Sequence, residues 1–193
     1  MTRQRVLGLA AAAALAGGMA LWTAACSKAE EPPAAPAAGD MVLTSPAFED
    51  GGDIPADYTR NGRNVSPPLA WDKAPDGAVT FALIVDDPDA PLGPFVHWLI
   101  CEMPATTRAL PEGVPKGENV SRPVVAVQGV NGFRETGYGG PRPPKGERHR
   151  YVFRLYALDE ELSMSGGFNK KQLEEAIKGH VLAEARLMGR YAQ

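Results

Sequence analysis

The sequence has few cysteines, few histidines and no excess of positive charge. Cys26 and Cys101 are its two cysteines, and only three residues are histidine. Basic residues number 20 and acidic residues 23, which gives a formal net charge of −3. Because a nucleic-acid-binding domain usually presents a strongly basic surface, this balance argues against nucleic acid as a partner.

The sequence also lacks the motifs of common hydrolases and metalloenzymes. It contains neither HExxH nor GxSxG, and its histidines and acids follow no recognised metal-ligand spacing. Cys101 lies in the middle of an apolar run, where a small buried side chain is its simplest role. We therefore predict no metal, no cofactor and no catalytic nucleophile, and we expect a protein that is not an enzyme.

The N-terminal segment has the features of a bacterial lipoprotein signal. Residues 1–5 are basic, residues 6–21 are uncharged and rich in alanine, and Thr23-Ala24-Ala25-Cys26 resembles a lipidation sequence with threonine in place of the usual aliphatic residue. We predict a signal peptide over residues 1–25, a lipidated Cys26 and a Pro/Ala-rich tether over residues 26–40. Ser27 favours the outer membrane, facing the periplasm. A soluble periplasmic product is the alternative.

Residues 41–193 have the pattern of an all-β domain. Glycine and proline are abundant, with 21 and 18 residues, and the apolar runs between them are short. We predict a β-sandwich that includes strands over residues 79–87, 95–103 and 149–157. The period of two places four side chains on one face of the second of these strands: Phe95, His97, Leu99 and Cys101.

The C-terminal quarter contains the clearest helical signal. Asn169 and Gln172 have the spacing of a capping box, and Gly179 predicts the end of a short helix. Beyond it, alternation over residues 181–191 predicts a final strand, although a continued helix also fits the spacing.

Polar side chains stand at one end of each of the three apolar strands. They are Asp87 and Asp89 after the first, His97 in the second, and His149 and Tyr151 in the third. If these strand ends meet, they form a small pocket at the rim of the sandwich. A metal site, a general acid–base set and an anion cradle are the alternatives.

We favour the anion cradle. Gly139 and Gly140 would let the backbone approach a ligand, and the Tyr151 hydroxyl could donate to it. A carboxylate beside a histidine favours the imidazolium, which attracts anions.

Two separated motifs surround these polar residues. DPDAP occupies residues 87–91 and precedes His97-Trp98, and GYGGPRPPKG occupies residues 137–146 and precedes His149-Arg150-Tyr151. Together they resemble the phosphatidylethanolamine-binding protein family, in its bacterial Raf-kinase-inhibitor-like branch. One departure is Gly132, where the branch often has aspartate.

The resemblance implies an antiparallel β-sandwich over residues 41–193, with a short C-terminal helix and a final strand. It also implies a pocket for phosphate-like anions and phospholipid head groups. The residues implied for this pocket and its wall are Asp87, Pro91, His97, Gly139, Gly140, Pro141, Pro144, His149 and Tyr151.

Binding of a small anionic ligand or a phosphatidylethanolamine-type head group is therefore the leading function, in a protein that meets the membrane through its lipid anchor. A hydrolase of an ester or phosphoester, with His97 or His149 as base, is one alternative. An inhibitor of an exported enzyme is another. A homodimer is compatible with each, and the Raf-kinase label is not transferred to a bacterial lipoprotein.

Overall fold

The computed structural model describes residues 41–193, which form two antiparallel sheets. The signal peptide, Cys26 and the tether lie outside the described residues. The smaller sheet has the order β1-β2-β5 and the larger sheet the order β6-β7-β4-β3-β8-β9. The strands are β1 (Val42–Thr44), β2 (Leu69–Asp72), β3 (Thr80–Asp87), β4 (Phe95–Pro104), β5 (Ala109–Leu110), β6 (Asn119–Val120), β7 (Ala126–Gln128), β8 (Arg148–Leu158) and β9 (Val181–Ala192).

The main core lies between the two sheets. Leu43 and Trp71 of the smaller sheet share one buried cluster with Phe81, Ile100 and Phe153 of the larger sheet. Burial of these large apolar side chains is the dominant stabilising contribution to a sandwich of this kind. The predicted antiparallel β-sandwich is confirmed.

The opposite face of the larger sheet is covered by the helix α1 (Lys170–Ile177). Leu173 and Ile177 of α1 pack in a second buried cluster with Ile84 of β3 and Leu99 of β4. Because the sheet is covered on both sides, every residue of β3 is buried, which explains its continuous apolar run.

The C-terminal elements agree with the sequence prediction. Asn169 accepts a hydrogen bond from the Gln172 amide, and the Gln172 side chain accepts one from the Asn169 amide. Gly179 has a φ of 88°, which suits glycine just after a helix. Beyond it, β9 pairs along the whole of β8 as a strand. Within residues 41–193, no helix has both the length and the apolar character needed to span a bilayer.

The predicted row of side chains on β4 is wrong. Val85 pairs with Trp98 and Asp86 with Val96, so His97 is an extra residue in a β-bulge. The bulge interrupts the period of two. Leu99 and Cys101 consequently pack towards α1, whereas His97 packs against Tyr151 and Phe95.

Candidate functional site

A cavity of about 350 Å³ lies where β3, β4 and β8 meet the loop before β8. We call it the rim cavity. Five of the residues implied from sequence line it: Asp87, Pro91, His97, Pro144 and His149. Its remaining lining residues were not named individually from the sequence: Ala90, Phe95, Phe133, Arg142, Pro143 and Gln193. Its volume lies in the range of small-molecule sites.

Asp87 connects two parts of the cavity. One carboxylate oxygen, Oδ1, accepts a hydrogen bond of 2.9 Å from the Asp89 amide and stabilises the DPDAP turn. The other, Oδ2, lies 2.7 Å from Nδ1 of His149 on β8. The side chains of Asp87 and His149 are each only 5% exposed. The turn and the strand are thus held together by one buried carboxylate.

His149 contacts a carboxylate through each of its ring nitrogens. Its Nε2 lies 3.1 Å from Oε2 of Glu147, in addition to the Nδ1 contact with Asp87. Burial by itself lowers the pKa of His149, but the hydrogen bonds to Asp87 and Glu147 outweigh it, and the pKa is raised. His149 therefore favours the imidazolium form. Both of its N–H groups are directed to protein carboxylates rather than to a ligand.

His97 has the opposite electrostatic character. Its Nδ1 lies 2.6 Å from the Gly139 carbonyl oxygen, which can only accept a hydrogen bond, so Nδ1 carries the proton. Burial lowers the pKa of His97, and the contact with Gly139 offsets this only in part. His97 is therefore a neutral imidazole with Nε2 unprotonated.

Asp89 stabilises the turn from outside the cavity. Its carboxylate accepts hydrogen bonds from the Arg150 amide at 2.9 Å and from the Arg150 guanidinium at 2.6 and 2.9 Å. The side-chain hydrogen bond from Arg150 lowers the pKa of Asp89 to about 2. The pair anchors the DPDAP turn to β8 and leaves Asp89 no direct place in the cavity lining.

Gly139, Gly140 and Pro141 do not line the rim cavity. A Cβ atom on Gly139 would lie 2.7 Å from the ring of Phe133, and one on Gly140 would overlap the backbone of Tyr58. The two glycines therefore permit close packing within the protein.

Tyr151 also lies outside the cavity lining. Its ring is buried and meets the His97 ring edge-on, with centroids 5.0 Å apart. Its hydroxyl is buried without a hydrogen-bond partner among the described residues. Burial, together with the nearby charge of Asp87, raises its pKa, so the hydroxyl stays protonated. Tyr151 therefore packs against the His97 ring and is not part of the cavity wall.

Gly132 shapes an aromatic wall of the cavity. A Cβ atom at this position would lie 2.5 Å from the Phe95 ring. Phe95 in turn packs edge-on against Phe133, with ring centroids 4.7 Å apart, and both rings line the cavity. The absence of a side chain at Gly132 thus sets the position of Phe95, which gives the Asn131-Gly132 loop a role through packing.

Arg142 is the cation that sequence reasoning did not select. It lies between Pro141 and Pro143 in the cavity wall, is exposed, and forms no ion pair with another residue in the range 41–193. The sequence could have indicated it, because Arg142 is the single charged residue in the GYGGPRPP segment. A guanidinium in this position is suited to a phosphate or carboxylate oxygen.

Few residues in the described part of the chain could support metal binding or nucleophilic catalysis. No group of three His, Cys, Asp or Glu side chains in residues 41–193 is arranged to hold a metal ion. Among these residues, no serine, threonine or cysteine lines the rim cavity.

Comparisons with known proteins agree with this architecture. A family model described as "Phosphatidylethanolamine-binding protein" matches residues 44–192. A UPF0098 protein of Methanothermobacter thermautotrophicus is 48% identical over 151 residues, which are 78% of this chain and 98% of that protein.

Two crystal structures have similar folds. A putative phosphatidylethanolamine-binding protein homologue from Chlamydia trachomatis aligns with a TM-score of 0.73 at 40% identity, over 81% of this chain and 99% of that one. E. coli YbcL, described as a new member of the mammalian family, aligns with a TM-score of 0.74 at 30% identity, over 79% and 98%. The chain therefore belongs to the phosphatidylethanolamine-binding protein family.

Proposed function

We propose that the protein binds a phosphate-like anion or a phosphatidylethanolamine-type head group in the rim cavity, and that it does no chemistry on its ligand. The observation that carries this proposal is that Arg142 lines the same cavity as Asp87 and His149, two members of an acidic cluster. Arg142 has no acidic partner among residues 41–193 and is free to meet a phosphate group.

The acidic cluster consists of Asp87, His149 and Glu147. Two carboxylates and one imidazolium leave it with one net negative charge. A phosphatidylethanolamine head group carries a phosphate and an ammonium, so its two charges match Arg142 and this cluster. The aromatic rings of Phe95 and Phe133 supply apolar surface for the atoms between them.

Calorimetric titration of the purified protein with glycerophosphoethanolamine and inorganic phosphate tests this proposal. Ala90 lines the cavity, so Ala90→Trp should fill it and abolish the binding. Val125→Trp is the matched control, because Val125 is 62% exposed and is not part of the cavity wall. Absence of binding to the wild type, or equal binding to both variants, would reject the rim cavity as the site.

A hydrolase is the second candidate, and the Asp87–His149 pair is the observation in its favour. A carboxylate that orients a histidine at 2.7 Å is also a component of catalytic triads. Here, however, the second nitrogen of His149 faces Glu147 instead of a nucleophile. Turnover of ester or phosphoester substrates that is lost in His149→Ala would establish the hydrolase in place of our proposal.

We further propose that the binding domain acts at the cell envelope. A lipid on Cys26 and a tether over residues 26–40 would hold the domain close to a bilayer, where phospholipid head groups are concentrated. Self-association into a homodimer is compatible with this arrangement.

A further inference from the structure

The rim cavity presents a hydrogen-bond acceptor on His97. Because Nδ1 donates its proton to the Gly139 carbonyl at 2.6 Å, the nitrogen that remains is Nε2. A neutral imidazole has one donor and one acceptor, and Nε2 is therefore the acceptor. It makes no hydrogen bond with any residue in the described range, and the His97 ring lines the cavity.

Asp87 adds further acceptor capacity to the same cavity. Its two oxygens accept one hydrogen bond each, from the Asp89 amide and from His149. An ionised carboxylate can accept about four hydrogen bonds. The side chain is buried and lines the cavity, so a bound molecule can donate to its remaining lone pairs.

We propose that the rim cavity selects ligands that combine an oxyanion with an N–H or O–H donor of their own. The oxyanion meets Arg142, and the donor meets Nε2 of His97 or the Asp87 carboxylate. A phosphate that retains a proton has this chemistry, and so does a head group with an ammonium. Sulfate and a phosphodiester without an amine lack the donor. This inference rests on the proposed function and specifies the ligand class of the same site.

The physical basis for the selection is the cost of leaving a buried acceptor without a donor. Sulfate has nearly the size and shape of phosphate but carries no proton near neutral pH, so its oxygens would face the lone pair of Nε2. An unsatisfied buried group of this kind weakens binding by about 5- to 150-fold, the equivalent of about 1–3 kcal/mol. We therefore expect phosphate to bind at least about fivefold more tightly than sulfate.

Four probes separate these contributions in calorimetric titrations of the purified protein at pH 7. Inorganic phosphate and sulfate form one matched pair, with and without a proton. Glycerophosphoethanolamine and dimethyl phosphate form a second pair of phosphodiesters, with and without an ammonium. In each pair the first probe should bind at least about fivefold more tightly. Tighter binding of glycerophosphoethanolamine than of phosphate would identify a lipid head group as the source of the chemistry, and the reverse would identify free phosphate.

The variant His97→Asn tests the assignment to His97. The asparagine amide can donate to the Gly139 carbonyl in place of Nδ1 but has no group at the position of Nε2. The phosphate-to-sulfate ratio should therefore fall towards one. His180→Asn is the control, because His180 is the third histidine and lies at an exposed ion pair with Asp159, so the ratio should not change.

The outcomes distinguish this inference from the proposed function. If neither phosphate nor glycerophosphoethanolamine binds, the proposed function fails and the selectivity fails with it. If sulfate binds as tightly as phosphate, the anion site stands and the selectivity is overturned. Should His97→Asn not fold, the two matched pairs of probes still decide the selectivity in the wild type.

Discussion

Asp87 at the end of β3 and His149 at the start of β8 lie 62 residues apart in sequence and 2.7 Å apart in space. Both side chains are buried, each with only 5% of its surface exposed. The pair joins the DPDAP turn to the wall of the rim cavity and favours the charged form of His149. Breaking it should affect both the stability of the domain and its dependence on pH.

We expect Asp87→Asn to destabilise the protein by about 1–3 kcal/mol, mainly below neutral pH. The pKa of His149 is raised in the folded state, so its stabilising contribution is complete below the unfolded pKa of 6.5 and is lost as pH rises through the folded pKa. The difference in unfolding free energy between pH 6 and pH 9, measured in urea, should be smaller in the variant than in the wild type. Asp159→Asn removes the carboxylate from the exposed contact with His180. It should change the unfolding free energy little at either pH.

We expect Arg142→Ala to weaken binding of inorganic phosphate and glycerophosphoethanolamine by roughly 1.5–3 kcal/mol, the range of a charge-assisted hydrogen bond. Because Arg142 is exposed, the thermal midpoint should change little. Arg190→Ala removes another exposed arginine, one that does not line the cavity, and should leave the calorimetric affinity unchanged. Equal losses in the two variants would indicate a general charge effect.

Gly132→Ala should reduce ligand affinity, because the added Cβ atom would displace the Phe95 ring from the cavity wall. The ring is 2.5 Å from that position, which is too close for any carbon contact. The same clash should lower the stability of the domain. Adding Phe95→Leu to the Gly132→Ala variant should restore part of that stability, because the smaller side chain leaves space for the added Cβ atom. A double-mutant cycle of unfolding free energies measures this coupling, and additive effects would contradict the contact.

Phe153→Ala should destabilise the domain by about 3–5 kcal/mol, because it leaves a cavity between the two sheets. Phe153 is completely buried and lies 5.7 Å from the Phe48 ring. Val125→Ala should cost less than about 0.5 kcal/mol, since Val125 is 62% exposed. Equilibrium unfolding in urea gives both values.

Labelled fatty acid should be incorporated into the protein through Cys26. Cys26→Ser should therefore abolish the label, whereas Cys101→Ser should retain it, because Cys101 is buried in the folded domain. A wild-type protein that is recovered unlabelled and soluble would contradict the lipid anchor.

Local patterns in the sequence were sufficient to predict the fold and part of the rim cavity. A continuous apolar run predicted β3, alternation predicted β8, and the spacing of Asn169 and Gln172 predicted α1. These features depend on neighbours in the chain, so they can be read from a short window. The sequence also predicted that Asp87 and His149 lie close together, because both stand at the ends of apolar strands.

Tertiary structure decided the direction and partners of the side chains. The bulge at His97 arises from the pairing of β4 with β3, which no alternation within β4 encodes. Gly139 and Gly140 lie close to Phe133 and Tyr58 and do not line the rim cavity. The partners of the ring nitrogens likewise make His149 cationic and His97 neutral. A pKa depends on burial and on charges brought close by folding, and sequence alone does not contain those distances.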